Sequence, residues 1–113
     1  MSKRDNKLFI EDINESIDAI NDYVKNMEIE EFIADRKTYS AVIREFEIIG
    51  EATKHLSENL LEQYPQIEWR NLKDFRNLLI HEYFGVDFDI VWNTIHEDLP
   101  LLKTIIVEMI DTQ

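Results

Sequence analysis

Apolar side chains recur along this chain with the period of an α-helix. Ile10, Ile13, Ile17, Ile20, Val24 and Met27 follow one another at spacings of three and four, which stacks them on a single helical face. Glu11, Asp12, Glu15, Asp18 and Asp22 fill the remainder, so the pattern predicts a first helix from about Asn6 to about Asn26. "MEIEEFIADR" predicts a short helical turn that brings the chain back. A second long helix begins near Thr38, with Val42, Phe46, Ile49, Ala52, Thr53, Leu56 and Leu60 facing inward. Gly50 within it costs roughly 1 kcal/mol relative to Ala, which implies that another helix crosses closely there. Ser57 is placed to cap a further turn that buries Leu60 and Leu61, and Pro65 stops the run. A third helix is predicted from about Trp69 to Tyr83, breaking at Gly85. A fourth starts at Asp87 or Asp89 and carries Ile90, Val91, Thr94, Ile95, Leu99, Leu102, Ile105, Ile106 and Met109 on its apolar side. Pro100 falls inside that helix and predicts a kink near Asp98.

These elements define an all-α fold: an up-and-down four-helix bundle with a short extra helix, in one domain over residues 1–113. Only 2 Gly and 2 Pro punctuate the chain, which argues against a β-sandwich. The absence of cysteine excludes a disulfide framework, a thiolate metal site and a cysteine nucleophile. No apolar h-region follows the N-terminal basic residues, and no apolar run approaches the ~20 residues needed to cross a bilayer. A cytoplasmic protein with no membrane contact is expected.

Charge narrows the function. A net charge of −12 opposes indiscriminate nucleic-acid binding, which needs Lys and Arg against phosphate. The acids are concentrated outside the middle: residues 36–81 hold 7 basic and 7 acidic groups. From Trp69 to His81, Arg70, Lys73, Arg76 and His81 face only Asp74 among acids. Acidic helix faces are ordinarily just solvated, and a local basic island is compatible with that.

The segment "WRNLKDFRNLLIHEYFG" places Arg76, Asn77, His81 and Tyr83 among Leu78, Leu79 and Ile80. On one continuous helix, Arg76 and Tyr83 are nearly eclipsed and Asn77 and His81 form an adjacent row. Arg76 and His81 then lie roughly 140° apart, an awkward grip on one small group. Two copies of the helix meeting across a two-fold axis remove the difficulty and surround a phosphodiester with two Arg, two His and two Tyr.

The order Arg76, four residues, His81, one residue, Tyr83 resembles the R-x-x-x-x-H-x-Y motif of the HEPN superfamily. More closely, the chain is similar to the HepT toxins of type VII HepT/MntA toxin–antitoxin pairs. The likeness extends over "IIGEATKHLSENLLEQYPQIEWRNLKDFRNLLIHEYFGVDFDIVWNTIHEDLPLL" and, with the order of the preceding helices, covers nearly the whole chain. Short Arg–His spacings are weak signals alone; within this surrounding sequence the motif is specific. The resemblance implies a HEPN-like homodimer joined through its motif helices and a metal-independent RNA endonuclease acting on mRNA or tRNA. Arg76, His81 and Asn77 are the implied catalytic residues, and Arg70 and Lys73 the candidate RNA contacts. It also implies that Tyr83 accepts AMP from an MntA-like nucleotidyltransferase antitoxin, which would put bulk and negative charge into the cleft that RNA enters. No cofactor is implied.

Other accounts of the same residues stand beside this one. Arg76 would serve equally as a structural ion-pair partner, His81 as a helix-terminal residue bonding a free carbonyl, and Tyr83 as a core ring. His55 follows Glu51 by four residues and His96 adjoins Glu97 and Asp98, but two ligands are not a metal site, and none is expected. Glu51 is expected to point inward near the motif helix, and Trp69 and Trp92 to anchor a core or dimer contact. The acidic charge and Glu82, beside the motif histidine, favour an alternative function: a non-catalytic helical module that docks a nucleotidyltransferase or a nucleotide.

Overall fold

The computed structural model describes residues 3–81 and 85–112, with the side chains of Lys3, Arg4, Arg76, Leu78, Ile80 and His81 excepted. Helix α1 (Lys3–Tyr23) starts earlier than the apolar stripe requires and ends earlier too. It stops because Asn26 takes a left-handed φ of 62°, which Asn tolerates better than most residues. Ile10, Ile13, Ile17 and Ile20 are all fully buried, as their spacing predicts.

A capping box between Glu28 and Glu31 opens the short α2 (Ile29–Ala34). Asp35 caps the next helix, α3 (Arg36–Lys54), by accepting from the Thr38 backbone N–H. The expected stripe of α3 is buried from Val42 to Thr53. Ser57 caps α4 (Glu58–Glu62) by accepting from Leu60 N–H.

Helix α1 runs antiparallel to α3. Asn6 near its start bonds Ser57 beyond the end of α3, while Tyr23 at its end donates to Glu45 Oε2 at 3.1 Å. Lys103 of α8 (Leu99–Thr112) donates to Asn14 and Asp18 on α1, at 2.6 and 2.9 Å. The Thr112 hydroxyl lies 3.4 Å from that of Tyr64, at the end of the bundle where α1 begins, so α8 also opposes α1. Nearly all the buried apolar residues of these elements, Ile43 excepted, form one continuous cluster.

Gly50 is where the bundle closes on itself. A Cβ there would stand 2.9 Å from the Leu72 carbonyl oxygen and 3.4 Å from that of Lys73. These carbonyls end α5 (Trp69–Lys73), so the close crossing expected at Gly50 is real. Trp69 is buried and donates its indole N–H to the Tyr64 carbonyl at 2.9 Å. Trp92 is half-buried against Phe32, their ring centroids 5.2 Å apart.

The third segment departs from expectation. It is not one helix from Trp69 to Tyr83: α5 ends at Asp74, a new helix α6 (Phe75–Leu79) follows, and the chain then becomes extended. Asp74 leaves the helical region, at φ −111° and ψ 24°, and its N–H closes α5 onto Asn71 and Leu72. Ile80 and His81 form β1, antiparallel to β2 (Gly85–Val86), with Ile80 opposite Val86 and His81 opposite Gly85. Gly85 holds a φ of 79°, open to glycine at no steric cost, and Asp87 N–H adds a bond to Leu79 O at 3.0 Å. β-branched Ile80 and Val86 suit extended backbone.

Of the two expected starts, Asp87 and Asp89, it is Asp87 that begins the fourth segment, accepting from Ile90 N–H at the start of α7 (Phe88–Asn93). Between α7 and α8 the chain makes a π-helical turn, Thr94–Asp98, in which Leu99 N–H reaches back five residues to Thr94 O. Pro100, from which a kink near Asp98 is expected, follows closely on this turn. Proline offers no N–H and its ring crowds the preceding turn, and a widened turn accommodates both.

Candidate functional site

The motif residues that are described are spread over two local structures. Arg76 and Asn77 sit on α6, His81 on β1, and Tyr83 lies with Glu82 outside the described residues. The side chains of Arg76 and His81 also lie outside them. Between Arg76 and His81 the backbone passes from helix to strand, so the 140° separation and the Asn77–His81 row of a continuous helix do not apply. The hairpin sets their relation instead. Its ladder and the Asp87–Leu79 bond tie the backbone on either side of residues 82–84 to the end of α6.

Asn77 is exposed, and its N–H is held by the Asp74 carbonyl at 3.0 Å. It opens onto a cleft of about 190 Å³ between α3 and the α5–α6 junction. Lys73 and Asp74 line the same cleft, with Arg44, Gly50 and Lys54 across from them. Gly50 thus permits both the backbone crossing and the depth of the cleft beside it.

The cations here are loosely held. Lys73 Nζ lies 3.2 Å from Glu58 Oε1, Lys54 3.2 Å from Glu51, and Arg44 3.8 Å from Glu47. Exposed pairs of this kind contribute about 0–1 kcal/mol, little enough for a phosphate to displace the carboxylate. Arg70, the other candidate contact, is exposed on α5 but does not line this cleft. Glu51 is not an inward acid: it is exposed and paired with Lys54. Sequence reasoning overlooked Arg44 and Lys54. Their spacing with Glu47 and Glu51, in steps of three and four, was the available signal for one shared face of α3.

Among the described residues no three His, Asp or Glu side chains gather as a metal site. His55 stacks on Phe9, centroids 4.7 Å apart, and His96 donates Nδ1–H to the Trp92 carbonyl at 2.8 Å. The bond requires the Nδ1–H form, because a carbonyl oxygen only accepts.

Fold and motif together define an all-α protein of HEPN-like architecture. Comparison with known proteins is narrower: the profile of the family "Ribonuclease HepT-like" matches residues 13–109. The chain belongs to that family. It is 45% identical to the "Probable ribonuclease HepT" of Thermococcus cleftensis, over 89% of this chain and 92% of that one. Two proteins of Methanocaldococcus jannaschii, named as candidate RNases, share 46% identity over 91% of this chain and 85% of theirs, and 41% over 91% and 94%. No solved structure matches at a significant level.

Proposed function

We propose that this protein is a ribonuclease toxin that cleaves RNA without a metal ion, from a site shared by two copies of the chain. The observation that carries the reading is the family match across residues 13–109, with Arg76, His81 and Tyr83 in the R-x-x-x-x-H-x-Y order inside it. The 2′-oxygen of a ribose attacks the adjacent phosphorus while a neutral His81 takes its proton. The bond to the 5′-oxygen breaks as the partner's His81, protonated, gives that oxygen a proton. The products are a 2′,3′-cyclic phosphate and a 5′-hydroxyl. An imidazole pKa near ~6.5 allows one neutral and one charged ring near neutral pH. Arg76 stabilises the charge building on phosphorus through its forked donors, and Asn77 bonds the phosphate or steadies the imidazole. Lys73 and Arg70 hold flanking phosphates.

Control is by an MntA-like nucleotidyltransferase that transfers AMP from ATP to the Tyr83 hydroxyl, releasing pyrophosphate, and so blocks the cleft by bulk and charge. Both proteins act in the cytoplasm as a toxin–antitoxin pair. Among the described residues no helix is long and apolar enough to cross a membrane.

The test is cleavage of a defined RNA, in EDTA, by wild type and His81→Ala. A wild-type product ending in cyclic phosphate, absent with the variant and with a 2′-deoxy substrate, is the expected result. No cleavage by the wild-type dimer on mRNA or tRNA would leave the second reading, a module that docks a nucleotidyltransferase or a nucleotide. The net charge of −12 and Glu82 favour that reading. Intact mass after incubation with the transferase and ATP, for wild type and Tyr83→Phe, separates regulation from catalysis.

A further inference from the structure

On the other side of the α5–α6 junction from the Asn77 cleft lies a second groove, of about 230 Å³, between α5 and the start of α8. Its wall is apolar, formed by Ile67, Leu72, Phe75, Leu99 and Leu102. At its edge Leu101 is 46% exposed, among the most exposed large apolar side chains described. Glu68, Glu97 and Asp98 also line the groove, all three exposed, and among the described side chains no Lys or Arg does. The π-helical turn carries two of these acids, so the widened backbone sets the rim.

We propose that this groove is a docking surface for a basic amphipathic segment of a partner protein, which seats an apolar side chain beside Leu101 and lays Lys or Arg against the acidic rim. The volume falls below the ~300–1,000 Å³ of ordinary small-molecule pockets, which suits an anchoring side chain better than a cofactor. A helix laid in such a groove is read through one or two apolar anchors with flanking charge. The charge selects the occupant. A second copy meeting this groove across a two-fold axis would set the acidic rim against the same rim, whereas a basic segment is attracted. Phe75 lines both this groove and the Asn77 cleft, so an occupant presses on the residue just before Arg76. The proposal does not depend on the nuclease reading.

The experiment measures fluorescence anisotropy of two labelled helical peptides with Leu at i and i+4, one flanked by Lys and one by Glu, against the intact protein. The variants are Leu101→Asp and the pair Glu97→Lys with Asp98→Lys, each checked for folding by circular dichroism. The Lys peptide is expected to bind, more weakly as salt rises, and each variant to weaken it about tenfold or more, as loss of a central anchor or reversal of rim charge does. The Glu peptide is expected not to bind. Failure of the Lys peptide to bind, or equal binding by wild type and Leu101→Asp, overturns the proposal. Sedimentation of the same proteins supplies the other arm: a wild-type oligomer that Leu101→Asp dissociates would assign the groove to a second copy and overturn it equally.

Discussion

At Gly50 two effects of similar size oppose each other. Alanine would improve helix propensity by about 1 kcal/mol. It would also drive a methyl group to 2.9 Å from the Leu72 carbonyl oxygen, a backbone atom that cannot turn aside. Overpacking typically costs 1–3 kcal/mol, so Gly50→Ala is expected to destabilise by about 1 kcal/mol net, read as a lower urea midpoint. Asp35 offers a test by pH. Hydrogen bonds from the Thr38 hydroxyl, at 2.7 Å, and then from the Thr38 N–H hold its carboxyl below the ordinary value. A carboxyl depressed in the folded state stabilises above its unfolded pKa of ~3.9, and that stabilisation fades as pH falls through the lower folded value. The stability difference between wild type and Asp35→Asn is therefore expected to be constant at neutral pH and to shrink below about pH 4 in parallel denaturation curves.

Among elements, the joint between α1 and α4 rests on one reciprocal pair. Asn6 accepts from Ser57 N–H at 3.2 Å and donates to Ser57 Oγ at 3.3 Å, while Ser57 Oγ also caps α4. Ser57→Ala removes the cap and takes the acceptor from the Asn6 side-chain NH2, in a residue only 6% exposed. A loss of about 1–2 kcal/mol is expected, with a corresponding fall in melting temperature. How far each element was legible follows from its local signals. The stripe of α1, the Asp87 and Ser57 caps and the crossing at Gly50 were readable because each rests on spacing or on a residue with one evident use. The β1–β2 hairpin was not. Leu78, Leu79 and Ile80 form a short apolar run that suits helix or strand, and only pairing across to Gly85 and Val86 decides between them. For the same reason the motif residues were placed on one continuous helix that the chain does not form.

For the molecule as a whole, the shared site proposed above would make activity depend on pairs. If both His81 rings serve one scissile bond, a dimer with a single His81→Ala chain is inactive. Mixed in equal amounts with exchange, wild type and variant would leave about a quarter of dimers intact, because pairing is random. Cleavage is therefore expected to fall to about a quarter of its undiluted rate, against a half if each chain worked alone. Nothing at this scale was legible from a single chain except through family likeness. The hydrophobic pattern builds one bundle and is satisfied by it, since the large apolar residues of the stripes end inside one cluster.

The widened turn at Thr94–Asp98 gives the chain a tolerance that its other helices lack. Removing one residue from α1 would spin everything beyond it by about 100° and turn isoleucines out of the core. A π turn already holds a residue more than an α turn needs. Deleting Glu97 would let that stretch relax to α-helical winding while Leu99, Leu102 and Ile106 keep their heading, so natural length variation among relatives is expected to gather there.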